Sequence, residues 1–193
     1  MARLFGTDGV RGLANKFPLD GNTVFRIAQL ATRQLMLNLK KQGRPVFIAK
    51  DTRRSGDMLE HAVAAGVASM GAEARLLGVL PTPAVAFITR ELQGMGGIMI
   101  SASHNPFADN GIKIFGPDGY KISDEVEEAI EKELVAGGKA ELPTGSEIGS
   151  VSHDDSSASF WLSNLARVAG ENVGSRRLKI ALDCANGALS RWA

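Results

Sequence analysis

A short polar segment between two apolar stretches carries the side chains of this sequence that are best suited to chemistry. Ser103 and His104 follow the apolar residues 98–100, and Lys113 lies in the next apolar stretch. A serine hydroxyl can carry a phosphoryl group, and a nearby ammonium or imidazole group can neutralise its charge. We therefore predict phosphoryl transfer with Ser103 as the carrier. The alternative is a serine-rich turn in which Ser101 ends a strand and His104 hydrogen-bonds only the backbone.

A serine hydrolase fits these residues less well. Ser103 is not part of a G-x-S-x-G segment, which forms the turn that exposes the nucleophile in many such enzymes. In addition, an imidazole on the adjacent residue, His104, is rarely placed correctly on the neighbouring hydroxyl.

A buried strand, a stiff loop and a returning strand are predicted to hold these side chains. The apolar run at 98–100 is typical of a strand buried on both faces, and ligands of such sheets bind beyond the carboxyl ends of the strands. Pro106 fixes its own φ and favours an extended residue before it, so the loop is expected to be stiff. Asn110-Gly111 is a tight-turn pattern, which predicts a strand over residues 112–115 with Lys113 near the loop.

The rest of the chain alternates between helical and strand patterns. This succession predicts the α/β class, with a mixed sheet and helices on both faces. Ser55 is expected to cap the second helix. Helices are predicted over residues 22–41, 55–70, 82–92, 124–136 and 160–169, and further strands over residues 45–49, 72–77 and 178–182.

Two domains are predicted, over residues 1–150 and 151–193. The stretch 137–159 is rich in Gly, Ser and Asp and is interpreted as a linker that ends the first domain near residue 150. The strand at 178–182, with Cys184 as a small buried residue after it, would open a second α/β domain.

Composition and charge exclude several classes of function. The 193 residues carry a net charge of +1 and 44% hydrophobic residues, which indicates a substantial core and gives no sign of a nucleic-acid partner. No apolar run is long enough for a membrane span or a signal-peptide core, so no membrane partner is expected. The single Cys184 excludes a disulfide within the chain and fits a reducing, cytoplasmic location.

Five motifs resemble those of the α-D-phosphohexomutases, in order and in spacing, from about Leu4 to Gly187. Within the motif KDTR at 50–53, Asp51 and Arg53 are expected to form a buried structural pair. The form FGTDGVRG is typical of the bacterial members that act on glucosamine phosphates. The motifs are SASHNP at 101–106, DNGIK at 109–113, FGTDGVRG at 5–12, KDTR with a following Ser-Gly at 50–56, and PTPAVA at 81–86.

The resemblance implies a role for each matching residue. Ser103 would be the phosphoserine that carries the phosphoryl group, and an oxygen of its phosphate would be one ligand of Mg²⁺. Arg11 would contact that phosphate, since an arginine fork suits phosphate better than a lysine does. His104 would orient the loop or hydrogen-bond the substrate. Lys113 would act as general acid or base, or as a fixed positive charge; its alternative is a partly exposed strand lysine.

The reaction implied by the resemblance is the interconversion of glucosamine 6-phosphate and glucosamine 1-phosphate. Ser103 would pass its phosphoryl group to the sugar phosphate, and the bisphosphate intermediate would return the other phosphate to the serine. A mutase acting on mannose or glucose phosphates is the alternative. The resemblance also implies a phosphosugar as the substrate, a role in supplying amino sugar for the cell wall, and a homodimer in full-length members.

The length of the chain leads to a further expectation. The resemblance implies four domains, of which only the first would be complete here. The aspartate-rich magnesium loop, the sugar-recognition loop and the carboxyl-terminal phosphate loop are absent, and residues 189–193 depart from the family pattern. A shifted reading frame, a premature stop or a gene-model error would explain this. The chain alone is therefore expected to lack turnover, with an inert or merely binding fragment as the alternative.

Overall fold

The computed structural model describes residues 3–37, 43–137, 141–172 and 179–192. Strands in these ranges form one sheet in the order β1-β5-β4-β2-β3-β6. The strands are β1 (Val10–Leu13), β2 (Val46–Lys50), β3 (Ala74–Val79), β4 (Gly96–Ile100), β5 (Asp109–Phe115) and β6 (Val151–His153). The α-helices are α1 (Gly21–Leu37), α2 (Gly56–Ser69), α3 (Thr82–Glu91), α4 (Asp124–Ala136) and α5 (Ser156–Asn172).

The sheet is mixed. Strands β4, β2, β3 and β6 run parallel to one another, whereas β5 is antiparallel to both of its neighbours, β4 and β1. The parallel strands bring their carboxyl ends to one edge of the sheet, and the loop that follows β4 begins at that edge.

Helices cover both faces of the sheet because its central strands are apolar on both sides. Val46 and Ile48 of β2 lie in a core with residues of α1, α2 and α4. Phe47 and Ala49 of the same strand lie in a second core with residues of α3 and α5. This division follows from the alternation of side chains along a strand. The predicted α/β class, with a mixed sheet and helices on both faces, is confirmed.

The first helix buries the face that its spacing predicts. The described part of α1 ends at Leu37, so the carboxyl end predicted near residue 41 lies outside the described residues. The buried apolar residues of α1 include all five that the pattern singles out: Val24, Ile27, Ala28, Ala31 and Leu35.

The Asn110-Gly111 pair lies inside β5, so the predicted tight turn is wrong. Both residues pair with β1, and a Cβ on Gly111 would lie 2.7 Å from the Ser101 carbonyl oxygen. Close approach of neighbouring backbone therefore requires the glycine. The buried Asn110 amide donates to Ser55 Oγ at 2.9 Å. Ser55 makes no side-chain cap hydrogen bond, so the predicted cap of α2 is also wrong.

The sheet continues past residue 150, into the stretch that composition predicts as a linker. Strand β6 pairs in parallel with β3, and α5 begins inside the same stretch. The Ser and Asp residues responsible for the linker prediction form the start of α5, where Asp154 Oδ1 accepts hydrogen bonds from the backbone amides of Ser156 and Ser157 at 2.9 and 3.0 Å. These residues therefore extend the first α/β unit.

A strand is predicted at 178–182, of which residues 179–182 are described. These four residues do not form a strand. Ile180 is 81% exposed and Leu182 is 70% exposed, and no described strand lies beside them. Cys184 is partly exposed, and its carbonyl oxygen accepts the backbone amide of Gly187 in a turn, at 2.9 Å. It is therefore not the buried strand residue that the sequence suggests. A second domain over these residues stays a prediction.

None of the helices in the described part of the chain combines the length and the apolar character that crossing a bilayer requires.

Helices α1 and α2 are in close contact at Gly66, and a substitution there tests the packing of the two helices. A Cβ on Gly66 would lie 2.5 Å from the Phe25 carbonyl oxygen and 2.7 Å from Ala28 Cβ. Overpacking of this kind forces backbone shifts, so we expect Gly66→Ala to lower the free energy of unfolding by about 1–3 kcal/mol, measured by urea denaturation.

Gly170 of α5 provides the control for this substitution. A Cβ there meets nothing within 4 Å, and alanine is more stable than glycine in an exposed helix by roughly 0.5–1 kcal/mol. Gly170→Ala should therefore raise the free energy of unfolding. Equal losses from the two substitutions would contradict the close packing of α1 on α2.

Candidate active site

Residues 101–108, which we call the serine loop, connect β4 to β5 at the carboxyl edge of the sheet. All five residues of β4 are buried, so the strand that leads into the loop is fixed on both faces. Ser103 is exposed and has a φ of 58°, in the left-handed region that serine rarely adopts. A conformation of this kind persists only where the surroundings hold it, and it is most common at functional sites.

The amino-terminal side of the serine loop is held through Ser101. The backbone amide of Ser103 donates to Ser101 Oγ at 3.0 Å, and that hydroxyl donates to Asp51 Oδ2 at 2.7 Å. Ser101 is only 5% exposed. It therefore does more than end a strand, because it joins the serine loop to the turn that follows β2.

Arg53 holds the other side of the loop through backbone carbonyl groups. Its Nη2 donates to the carbonyl oxygens of Ser103 at 3.1 Å and Asn105 at 2.8 Å. Its Nη1 donates to those of Asp109, at 3.0 Å, and Pro106. A single guanidinium thus satisfies four carbonyl groups in and beside the loop.

Asp51 and Arg53 form the largely buried pair that the sequence predicts. Arg53 Nε donates to Asp51 Oδ2 at 3.0 Å, and the two side chains are 10% and 13% exposed. Asp51 Oδ1 also accepts the backbone amide of Arg53 at 3.0 Å. The motif predicts the pair, but the contacts of Arg53 with the serine loop are missed, because they join segments about 50 residues apart in sequence.

Arg11 reaches the serine loop from β1, whereas the sequence places it in the opening glycine-rich loop. Its Nη1 donates to Asn105 Oδ1 at 3.1 Å, and its Nη2 donates to Asp8 Oδ2 at 2.8 Å. Its Nε is buried and has no hydrogen-bond partner among the described residues. Its Nη1 and Nη2 each have a second N–H that no described bond uses, so Arg11 keeps donor capacity for an anion.

The opening turn packs directly on β5 near Lys113. Gly9 has a φ of 86°, and a Cβ there would lie 2.2 Å from the Ile112 carbonyl oxygen. Only glycine allows this approach, so Asp8 and Arg11 are held beside the strand that carries Lys113.

Lys113 is half-buried on β5, opposite Met99 of β4. Burial lowers the pKa of its amine below the ordinary value, and the positive charge of Arg11 lowers it further, while Asp8 and Asp51 offset part of the shift. No described carboxylate forms an ion pair with Lys113 within 4 Å. A lysine with a lowered pKa can exchange a proton nearer neutrality, which suits the general acid or base that the resemblance implies.

His104 is exposed next to Ser103. Within the described ranges, no hydrogen bond or ion pair fixes its imidazole. The imidazole therefore makes no described hydrogen bond that would orient the loop. Its hydrogen bond to the substrate stays a prediction.

A cavity of about 590 Å³ opens beside Ser103. The turn at 186–188 closes one side of it, where the Thr52 hydroxyl donates to the Asn186 carbonyl. Of the predicted site residues only Ser103 lines this space; Arg11 and Lys113 lie on the strands behind the loop. The lining residues are Asp51–Arg54, Pro81–Pro83, Met99, Ser101, Ser103, Asn105, Phe107 and Asn186–Ala188.

The described residues do not form a magnesium site by themselves. They contain no group of three or more His, Cys, Asp or Glu side chains that could hold a metal ion. Asp51 lines the same cavity as Ser103, but its two oxygens already accept hydrogen bonds from Arg53 and Ser101. The Mg²⁺ that the resemblance implies stays a prediction, with an oxygen of the phosphate on Ser103 as its implied ligand.

Comparison with known proteins defines the class to which this fold and this loop belong. Residues 2–141 match the family described as "Phosphoglucomutase/phosphomannomutase, alpha/beta/alpha domain I". The chain belongs to this family, and the resemblance predicted from its motifs is confirmed.

Curated relatives named phosphoglucosamine mutase match the chain along its whole length. The protein of Rhodococcus erythropolis is 47% identical and that of Syntrophobacter fumaroxidans is 44% identical. Each match covers 100% of this chain and 43% of the relative. The chain thus spans less than half the length of these relatives.

Solved structures share the fold. A phosphoglucomutase/phosphomannomutase family protein from Burkholderia thailandensis superposes with a TM-score of 0.70 at 24% identity, over 90% of this chain and 37% of that protein. A putative phosphomannomutase from Thermus thermophilus gives a TM-score of 0.68 at 30% identity, over 86% of this chain and 36% of that protein.

The environment of Lys113 predicts an unusual dependence of stability on pH. Because folding lowers its pKa from the ordinary 10.5, the charged amine opposes folding at neutral pH. This penalty begins to fall as the pH rises through the folded-state pKa and is lost only above the ordinary pKa of the unfolded chain. We expect Lys113→Met to raise the free energy of unfolding at neutral pH, measured in urea, and to raise it less at about pH 10.

Lys121 provides the matched control for Lys113. Its Nζ lies 2.9 Å from Oε1 of the buried Glu127, so Lys121→Met should lower stability by leaving a buried carboxylate without its nearest cation. A loss of stability in Lys113→Met comparable to that in Lys121→Met would show that Lys113 is an ordinary structural lysine.

Proposed function

We propose that this chain carries the phosphoryl-transferring serine of a phosphoglucosamine mutase, an enzyme that interconverts glucosamine 6-phosphate and glucosamine 1-phosphate. The observation that carries the proposal is the state of Ser103. Both of its backbone polar groups are hydrogen-bonded, while its hydroxyl faces a cavity and has no partner among the described residues. A fixed backbone with a free hydroxyl suits a group that must accept and return phosphate.

The proposed reaction has two phosphoryl transfers. In the first, the free hydroxyl of the sugar phosphate attacks the phosphorus of phosphorylated Ser103; the bond from phosphorus to Oγ breaks, and a bisphosphate forms. In the second, Oγ attacks the other phosphate of the turned bisphosphate, and the bond from that phosphorus to the sugar oxygen breaks. Each attacking hydroxyl loses a proton, and each departing oxygen gains one.

Lys113 and Arg11 are the groups proposed to assist these transfers. Lys113, whose pKa burial lowers, would take the proton from the attacking hydroxyl or return it to the departing oxygen. Arg11 would offset the charge of the transferred group with its positive charge and with the N–H groups of Nη1 and Nη2 that no described bond uses, as cations do in other phosphoryl transfers. His104 would hydrogen-bond the sugar.

The other inferences of the family resemblance stay predictions. Mg²⁺, with an oxygen of the Ser103 phosphate as one ligand, is the expected cofactor, and no step above depends on it. The phosphosugar partner, the homodimer in full-length members, the lack of nucleic-acid or membrane partners and the cytoplasmic location are expected on the same basis.

A mutase for mannose or glucose phosphates is the second candidate. The family description names both sugars, and the structure from Thermus thermophilus is that of a putative phosphomannomutase. The names of the curated relatives favour the glucosamine phosphates.

Phosphate transfer to Ser103 tests the proposal directly. The purified chain is incubated with glucosamine 1,6-bisphosphate, with and without Mg²⁺, and intact mass followed by peptide mapping locates any added phosphoryl group. We expect one group, on Ser103, and none in Ser103→Ala. Ser146→Ala, in the exposed turn at Gly145–Glu147, should behave as the unaltered chain. Addition to a different residue, or none from any sugar bisphosphate, would contradict the proposal. Faster transfer from the mannose or glucose analogue would favour the second candidate.

Net interconversion is expected to need more than this chain. The chain covers 43% of its relatives, and its described carboxylates offer no metal site. We therefore expect the 193-residue chain to take up phosphate without converting glucosamine 6-phosphate into glucosamine 1-phosphate. Magnesium-dependent mutase turnover by the purified chain, measured by NMR of the sugar phosphates, would show this expectation to be wrong.

A further inference from the structure

We propose that Arg53 is the positioning residue of Ser103, and that it acts on the serine loop instead of on a phosphate of the substrate. The geometric part of this inference stands by itself, whereas its consequence for catalysis rests on the proposed function. An arginine that lines a phosphosugar cavity would ordinarily be assigned to phosphate binding, so the two roles need to be separated.

The donors of Arg53 are fully used inside the protein. A guanidinium has five N–H donors. In Arg53 the Nε donor goes to Asp51 Oδ2, and the four Nη donors match the four carbonyl oxygens of the loop and of the start of β5. No donor is left for a ligand, and Asp51 already balances the positive charge.

Arg11 shows the opposite condition. Two of its nitrogens donate to Asn105 and Asp8, and its buried Nε has no described partner. Of the arginines near Ser103, Arg11 therefore keeps donors for an anion, whereas Arg53 is committed to the backbone.

The contacts of Arg53 control the direction of the Ser103 hydroxyl. The peptide before Ser103 is fixed by the bond from its amide to Ser101 Oγ, and the peptide after it is fixed by the bond from Arg53 Nη2 to its carbonyl. Together they hold the φ of 58° at a residue whose side chain lies beside the cavity. Without Arg53, Ser103 would relax toward the more populated regions of φ and ψ, and Oγ would move with it.

A lysine at position 53 would retain the charge but not the geometry. Its ammonium has three donors on one atom, and these cannot reach Asp51 and four separated carbonyl groups at once. Arg53→Lys therefore removes the proposed function of the residue while it preserves the ion pair with Asp51.

Arg75 provides a matched control within the same sheet. It forms a fork with Glu73, two residues before it, at 3.0 and 2.9 Å, with the same acid-x-Arg spacing as Asp51 and Arg53. It donates to no loop carbonyl in the described residues. Arg75→Lys thus removes a bidentate ion pair with a neighbouring carboxylate that makes no described contact with the serine loop.

Hydrogen exchange of the whole 193-residue chain tests the geometric part. The amides of Asn105 and Asp109 form hydrogen bonds within the serine loop, at 3.1 and 3.0 Å. We expect Arg53→Lys to accelerate their exchange by about tenfold or more, and the amides of β4 to stay protected. Arg75→Lys should leave loop exchange unchanged. Equal loop exchange in the two variants would overturn the proposal, whether or not the protein carries phosphate.

The rate of phosphate transfer tests the consequence. With glucosamine 1,6-bisphosphate as the donor, Arg53→Lys should lower the maximum rate of Ser103 phosphorylation by about tenfold or more without changing the half-saturating concentration. A raised half-saturating concentration with an unchanged maximum rate would instead identify Arg53 as a ligand of the substrate and overturn the proposal. Arg75→Lys should change neither quantity.

The outcomes separate this inference from the proposed function. Faster loop exchange in Arg53→Lys, combined with no phosphate uptake by the unaltered chain, would leave the positioning role standing and reject the proposed function. If Arg53→Lys lowers the urea midpoint of the whole chain, Arg53→Gln, which retains an amide donor without the charge, is compared with Arg75→Gln in the same two measurements.

Discussion

The backbone carbonyl groups of the serine loop impose the constraint on which the site depends. The loop leaves the sheet after β4, so these groups lose the partners that a strand provides, and partly buried carbonyls need donors. Arg53 supplies them, and Asp51 balances its charge and holds Ser101 at the same time. One ion pair at the end of β2 thus fixes both sides of a loop between β4 and β5. Ser103 is therefore exposed while its backbone is held in place, because the network bonds to the backbone groups of the loop and leaves the hydroxyl free.

The electrostatics of the site follow from this arrangement. Arg53 contributes little positive charge to the cavity because Asp51 neutralises it at close range. Arg11 is only partly balanced, by the exposed Asp8, and Lys113 has no described carboxylate within ion-pair distance. Uncompensated positive charge therefore lies on β1 and β5, behind the loop, and also on Arg54, which lines the cavity and forms no described ion pair. An anion bound at Ser103 would be attracted by all three side chains. Burial of Lys113 and, to a smaller extent, the charge of Arg11 lower the lysine pKa, so the charges that would attract a phosphate also bring the proton exchange of Lys113 nearer to neutral pH.

Much of this fold and part of this site could be predicted from the sequence. The apolar spacing of α1, the buried run of β4 and the motifs around Ser103 are local patterns, and local patterns are what a single sequence records. The errors have a common origin. Asn110-Gly111 forms a turn in most contexts, but here neighbouring backbone crowds Gly111 and Asn110 bonds to Ser55. The Ser- and Asp-rich stretch resembles a linker, but Val151–His153 within it pair with the distant strand β3. In each case a distant segment decides the structure, and the contacts of Arg53 with the serine loop were missed for the same reason.

The second core explains why the structural unit extends beyond the residues that match the family. The match ends at residue 141, yet Ala158 and Trp161 of α5 complete the core formed by α3 with Phe47, Ala49 and Met99. Met99 belongs to β4, the strand that leads into the serine loop, and Ala49 belongs to β2, which leads into Asp51. Helix α5 packs mainly against α3, and α3 in turn covers this face of both strands. The rigidity that the serine loop requires is therefore supplied in part by a helix that contributes no residue to the site.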